Sequence, residues 1–117
     1  MSRPRLPQTP ADLLAEELAK EKASALGRMG RALEAALAAL AAFDADHPAE
    51  ALSGEQRQSR ATLVGAAGVA LWHFIVQREA CGLRDMRYVL RDYRVPAEVA
   101  AKMGVLPAEP VRRRRSF

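Results

Sequence analysis

The sequence predicts an all-α protein: a long antiparallel helical hairpin plus two short C-terminal helices, dimerising into a four-helix bundle. Of its 117 residues, 24 are Ala, the best helix former, and only six are aromatic. Apolar side chains also recur at helical spacing over two long segments. A core of small side chains favours close contacts between helices.

Chain length and proline positions predict a single helical domain over 11–104. Residues 1–10 contain three prolines and no periodicity, so a disordered N-terminal tail is expected. Residues 105–117, with prolines at 107 and 110 and four arginines, form a basic C-terminal tail.

The first helix is predicted to begin at Thr9-Pro10, with Thr9 as N-cap, Pro10 in the first turn and Asp12 three residues after the cap. Apolar residues then follow at a mean spacing of about 3.6, which indicates an amphipathic helix; they are at positions 14, 18, 25, 29, 33, 36, 40 and 43. The uncharged segment "AALAALAAF" (35–43) predicts cover on more than one side. Asp44 and His47-Pro48 end the helix.

A short connector, with one helical turn within 48–52, precedes a second helix. Ser53 and Gln56 form a capping-box pattern, while Gly82 and Leu83 after Cys81 fit a left-handed helix end. The helix is apolar over about 240° of its circumference, so it must contact more than one neighbour. Glycines inside it cost ~1 kcal/mol each against Ala, which favours close helix packing. The predicted packing or dimer residues are Ala61, Gly65, Gly68, Trp72, Phe74 and Ile75.

A third helix is expected within 83–96, with one apolar stripe formed by Leu83, Met86, Leu90 and Tyr93. Pro96 ends it and begins a fourth helix, which Gly104 closes. Beside the apolar stripe, arginines recur at spacings of 3, 4 and 3 and are candidate partner-binding residues: Arg84, Arg87, Arg91 and Arg94. They suit phosphate or carboxylate, but we favour a solvated border or ion pairs with acids of the first helix such as Glu16, Glu17 and Glu21. Helices 3 and 4 also have helix-turn-helix lengths, although the last offers few base-reading side chains.

The stretch "LWHFIVQREACG" (71–82) holds the chain's single Trp and single Cys and one of its two His. His73 and Cys81 are eight residues apart, roughly 12 Å along a helix, too far for a nucleophile and its base. No CxxC or HxxxH pair, the usual zinc spacing, occurs. We therefore expect no catalytic residue, no metal site and no cofactor, and a protein that is not an enzyme.

The net charge of +4 is concentrated in the tails. Without Arg3, Arg5 and Arg112 to Arg115, the chain has 12 basic and 14 acidic residues, so its body is weakly acidic. A single Cys fits a reducing cytoplasm, and the N-terminus lacks the apolar region of a signal peptide. The longest uncharged run, 61–77, is shorter than the ~20 residues of a membrane span. A cytoplasmic location without membrane contact is expected.

The segments "VQREACGLRDMRYVLRDYRVPAEVAAKMG" (76–104) and "KASALGRMGRALEAALAAL" (22–40) resemble a family of small uncharacterised helical proteins from alphaproteobacteria. The letters that carry the resemblance are Gln77-Arg78-Glu79, Cys81-Gly82-Leu83-Arg84-Asp85 and Asp92-Tyr93. The resemblance covers about residues 10–104 and implies a domain of unknown function, without naming an activity or a ligand.

Two hypotheses of function remain. The first is a non-enzymatic homodimeric interaction or scaffold protein, which binds itself and a further protein partner. The second is a small nucleic-acid-associated protein that binds weakly through the arginine stripe and the tail arginines Arg112, Arg113, Arg114 and Arg115.

Overall fold

The computed structural model describes residues 8–104, which form four α-helices and one 3₁₀ turn. In chain order they are α1 (Pro10–Asp46), the 3₁₀ turn (Ala49–Ala51), α2 (Gly54–Ala80), α3 (Met86–Asp92) and α4 (Ala97–Ala101). Helix accounts for 81% of the described residues, and no strand occurs among them. The all-α prediction is confirmed. The predicted tails lie outside the described residues, except for 8–10.

Helix α1 begins as its sequence predicts. The Thr9 hydroxyl accepts a hydrogen bond from the Asp12 backbone N–H (3.0 Å), and the Asp12 carboxylate accepts one from the Thr9 N–H (3.1 Å). Pro10 is the first helical residue, as the cap pattern predicts, so the helix takes the last residue of the predicted 1–10 tail. At the other end, the His47 ring stacks on Phe43, and its Nδ1 lies 2.9 Å from the Phe43 carbonyl oxygen.

Both ends of α2 match the prediction. Ser53 and Gln56 form the expected capping box. At the C-terminus the Leu83 N–H donates to the Arg78 carbonyl (2.8 Å) and the Gly82 N–H to the Glu79 carbonyl (2.9 Å). This is a Schellman motif, and its Gly82 has a φ of +86°.

Helix α3 is shorter than predicted. The Asp85 carboxylate accepts a hydrogen bond from the Tyr88 N–H and starts the helix at Met86, so residues 83–85 are not helical. The predicted apolar stripe is also wrong in its first half, because Leu83 and Met86 are exposed and Val89 is fully buried. Because Asp85 is the N-cap, α3 begins at Met86 and Leu83 lies outside the helix.

The core is formed by all four α-helices. Its nine buried apolar residues are Leu33, Leu40, Val64, Ala67, Leu71, Phe74, Ile75, Val89 and Val99. Helices α1 and α2 pack in opposite directions, since Arg60 pairs with Asp44 while the Gln77 side chain donates to the Lys22 carbonyl (3.4 Å). Helix α4 packs against α2, with its C-cap residue Lys102 beside Gly68. The prediction that 35–43 is covered on several sides is wrong: five of its nine residues, all Ala, are exposed, because the core needs only one face of α1.

Helix α1 has 37 residues and α2 has 27, so α1 continues beyond its neighbour. The last turn of α2 lies near Lys22, and residues 10–21 project past it for about 18 Å. In this projecting segment Leu13, Leu14 and Leu18 are at least half exposed. The radius of gyration, 20.0 Å, exceeds the ~13 Å of a compact chain of this length, so the molecule is elongated.

Candidate functional site

One face of α2 is apolar and is left at least partly exposed by the other residues between 8 and 104. Its residues lie within about 80° of each other on the helix and have no charge; we call Ala61, Gly65, Val69, Trp72 and Val76 the outer face. Trp72 is 45% and Val76 43% exposed, Ala61 is exposed, and Gly65 and Val69 are half-buried. An exposed apolar patch of this kind is typical of an interaction surface.

The predicted packing residues of α2 divide between the core and the outer face. Phe74 and Ile75 are buried in the chain's own core. Gly68 is also buried, and a Cβ added there would lie 2.8 Å from the Lys102 Cβ and 3.0 Å from its carbonyl oxygen. The end of helix α4 therefore covers Gly68, one of the predicted packing residues. Ala61, Gly65 and Trp72 remain accessible.

Gly65 and Trp72 differ in what surrounds them. A Cβ added at Gly65 would meet no atom within 4 Å, so no contact among residues 8–104 requires glycine there. The Trp72 ring lies beside Gly104, with its Cε3 3.9 Å from a Cβ added at that residue. One edge of the indole thus lies near the residues that follow α4, and the side chain stays 45% exposed.

The four arginines predicted as a partner-binding stripe do not form a continuous helical row. Only Arg87 and Arg91 lie in α3; Arg84 precedes its N-cap, and Arg94 follows its end with a φ of 52°. All four are exposed. Within the described part of the chain none of them forms an ion pair, so the predicted pairs with Glu16, Glu17 and Glu21 do not occur.

A different arginine, Arg78, packs between two aromatic rings. Its guanidinium carbon lies 5.8 Å from the centre of the Phe74 ring and 5.6 Å from that of Tyr88. Phe74 also meets Tyr93 edge to face at 5.3 Å. The pKa of the Tyr93 hydroxyl is raised mainly by burial and, to a smaller extent, by the negative charge of Glu34. These contacts attach α3 to α2 and present no free reactive group.

Arg60 joins three helices through contacts that no sequence pattern predicted. Its guanidinium donates to Asp44 at the end of α1 (2.7 Å) and to Glu98 in α4 (2.7 Å). These charge-assisted bonds lower the pKa values of both carboxyls. Beside them is an open groove of about 360 Å³, with Arg57, Ala61, Val64 and Lys102 in its wall. No sequence spacing identifies such a contact, because its three members lie far apart along the chain.

The residues with potential chemistry lie apart from one another. His47 is bound to the end of α1, His73 is exposed on α2, and Cys81 lies at the end of α2 with its sulfur 3.9 Å from the Lys22 carbonyl oxygen. Between residues 8 and 104, no group of three His, Cys, Asp or Glu side chains is placed to hold a metal ion. The absence of a catalytic residue remains a prediction.

Helix α2 is also, in the described residues, the one helix long and apolar enough to cross a membrane, judged by length and composition alone. Its most apolar window has a mean hydropathy of 1.3, and 33% of that window is buried. The core helix of a soluble protein has the same properties, so this is weak evidence for a membrane span.

The comparisons with known proteins identify a family. Residues 2–112 match the model of a family of unknown function, DUF6665, and the chain belongs to that family. The match extends into both tails, beyond the 10–104 that the resemblance covered. No curated protein and no solved structure matches the chain.

Proposed function

We propose that this member of the DUF6665 family is a non-enzymatic homodimeric interaction protein, in which the α1–α2 hairpins of two chains form a four-helix bundle. The observation that carries this proposal is the outer face of α2, which is apolar and at least partly exposed at every position. Trp72 and Val76 each leave over two-fifths of their surface in water. A second chain would remove that surface from solvent, which stabilises the assembly by about 25 cal/mol per Å².

The projecting segment of α1 supports the same proposal. Leu13, Leu14 and Leu18 are 50%, 61% and 54% exposed, and a groove of about 590 Å³ runs from Leu18 to the end of α2. These residues continue α1 beyond the point where α2 covers it. Apolar surface at two separate places gives a partner more area than a single helix face provides, and stable interfaces bury ~800 Å² per chain.

The oligomeric state tests the proposal directly. Size exclusion with light scattering should give a dimer for the natural protein and a monomer for the double variant Trp72→Glu, Val76→Glu, because two buried carboxylates would lack partners. The matched control is His73→Glu, which adds a charge to an exposed neighbour outside the outer face and should leave the dimer intact. A natural protein that is monomeric at high concentration overturns the proposal, provided circular dichroism shows that it is helical.

Weak binding of nucleic acid is a second candidate. It is favoured by the exposure of Arg84, Arg87, Arg91 and Arg94 without ion pairs among residues 8–104, together with Arg112 to Arg115 in the sequence. The four described arginines do not form one helical row, which favours loose phosphate contacts over base reading.

We also propose that the protein is cytoplasmic, without membrane contact, in an alphaproteobacterium. The single Cys fits a reducing compartment, and six residues of α2 are buried against the protein's own helices. Fractionation of the native cell tests the location: recovery in the membrane pellet after a carbonate wash would contradict it.

A further inference from the structure

We infer that the two chains pack α2 against α2 in antiparallel register, about a two-fold axis beside Val69, so that Trp72 of each chain lies on Gly65 of the other. This inference rests on the proposed homodimer and specifies its interface. In a two-fold contact, residue i meets residue j and j meets i. Interacting positions in an antiparallel pair must therefore lie at equal distances from one point on the helix.

The outer face meets this requirement by shape. Gly65 and Trp72 are equally far from a point between Gly68 and Val69, and so are Ala61 and Val76. The first pair combines a position with no side chain and no neighbour within 4 Å with a large, half-exposed ring. The second combines a small residue with a branched one. Each bulky side chain thus faces a small one, which lets the two helices approach closely.

Charge at the ends of α2 selects the antiparallel direction. Arg57 and Glu79 are both exposed, are centred on Gly68, and take part in no ion pair within the described chain. They are 22 residues apart, about 33 Å along the helix, so they cannot pair with each other in one chain. In an antiparallel dimer, Arg57 of each chain lies beside Glu79 of the other, so the two-fold symmetry gives two such contacts. A parallel copy would place like charges together.

The first test uses thiol cross-linking in the Cys81→Ser background, which removes the chain's natural thiol. Val69→Cys lies beside the axis and should be joined to its own counterpart by a short bis-maleimide. Ala61→Cys and Val76→Cys are matched controls, since each would lie about 22 Å from its own copy. Neither should cross-link alone, but a mixture of the two variants should give a mixed dimer. Circular dichroism of each variant checks that the fold is retained.

The second test reverses the charges. Arg57→Glu or Glu79→Arg alone converts two attractive contacts into two repulsive ones and should weaken the dimer about tenfold in Kd. The double variant should restore the affinity to within about twofold, measured by sedimentation at low salt. Because the two sites cannot meet within a chain, restoration requires contact between chains.

The outcomes distinguish a failure of the homodimer proposal from a failure of the antiparallel register. A monomeric natural protein overturns both the homodimer and this register. A dimer in which Ala61→Cys cross-links to itself, or in which Val69→Cys does not, overturns the register and leaves the homodimer standing. Single reversals that have no effect, or a double variant as weak as the singles, also overturn it.

Discussion

Arg94 has a φ of 52° in a position where glycine is usual. It ends α3 through two hydrogen bonds, from its own N–H to Arg91 (3.1 Å) and from the Val95 N–H to Leu90 (2.9 Å). This is the arrangement that Gly82 makes after α2. The left-handed backbone costs a side-chain-bearing residue ~1 kcal/mol, and glycine almost nothing.

We therefore predict that Arg94→Gly raises the free energy of unfolding by about 0.5–1 kcal/mol, part of the gain being offset by the greater freedom of glycine in the unfolded chain. The matched change is Gly82→Ala, which meets no atom within 4 Å and should cost about 1 kcal/mol through the backbone alone. Urea denaturation at one protein concentration measures both. Equal effects of the same sign would contradict this account.

Among the elements, α4 is held against α2 at two places. Its end lies on Gly68, and its start is joined to Arg60 through Glu98. The helix has five residues, too few to be stable alone. Its position therefore depends on these contacts and on the burial of Val99.

The close approach of α4 predicts that Gly68→Ala destabilises the protein by about 1–3 kcal/mol, because the added methyl would overlap the Lys102 backbone. Gly27→Ala is the control. Its nearest neighbour is the flexible end of Arg31 at 3.4 Å, so the better helix propensity of Ala should stabilise α1 by about 0.5–1 kcal/mol. Thermal or urea unfolding compares the two, and a stable Gly68→Ala protein would mean that α4 lies elsewhere.

The ion pairs of Arg60 predict a dependence on pH. Hydrogen bonds from Arg60 lower the pKa values of Asp44 and Glu98 from their usual 3.8 and 4.5. The pairs therefore contribute stability above those usual values, and the contribution is lost as the pH falls through the lowered ones. The difference in melting temperature between the natural protein and Arg60→Gln should be largest near pH 6 and shrink towards pH 3.

The size of that difference should be modest, below that of Gly68→Ala, because both carboxyls are open to solvent. Arg28→Gln, an exposed arginine outside these pairs, serves as the control and should show no such pH dependence. A difference that grows as the pH falls would contradict the assignment.

For the whole molecule, the shape and the distribution of charge matter most. The molecule is elongated, and all of its excess positive charge comes from Arg3, Arg5 and Arg112 to Arg115. A duplex bound through Arg112 to Arg115 would lose affinity with salt at a log–log slope near −3.6, roughly −0.9 for each phosphate contact. Titration by fluorescence anisotropy should detect this weak binding.

Deleting residues 111–117 should flatten the dependence of log affinity on log salt. The matched control replaces Arg112 to Arg115 with Gln in the full-length chain and should flatten it equally. Binding that survives the deletion at physiological salt would assign the contact to α3 and α4 instead. No binding at low salt would remove the nucleic-acid candidate and leave the homodimer proposal unaffected.

The sequence by itself determined the helix ends that depend on neighbouring residues. Thr9 with Asp12 and Ser53 with Gln56 cap within one turn, and Gly82 adopts its backbone without help from the rest of the chain. The predicted start of α3 was wrong because it too depends on a local hydrogen bond. The Asp85 carboxylate accepts from the Tyr88 N–H and caps the helix there, which the spacing of apolar residues does not reveal.

Tertiary structure alone decided which parts of the apolar surface are used. The sequence made α2 apolar over most of its circumference, and Gly65 and Gly68 looked equivalent. The position of α4 buried one and left the other open. The tertiary structure also brings Asp44 and Glu98 to Arg60. It leaves three leucines exposed where α1 extends beyond α2, namely Leu13, Leu14 and Leu18. Whether a residue is buried depends on the neighbouring helix as well as on its own. A periodic apolar pattern on one helix predicts that a neighbour covers that face, but it does not predict where the neighbour ends.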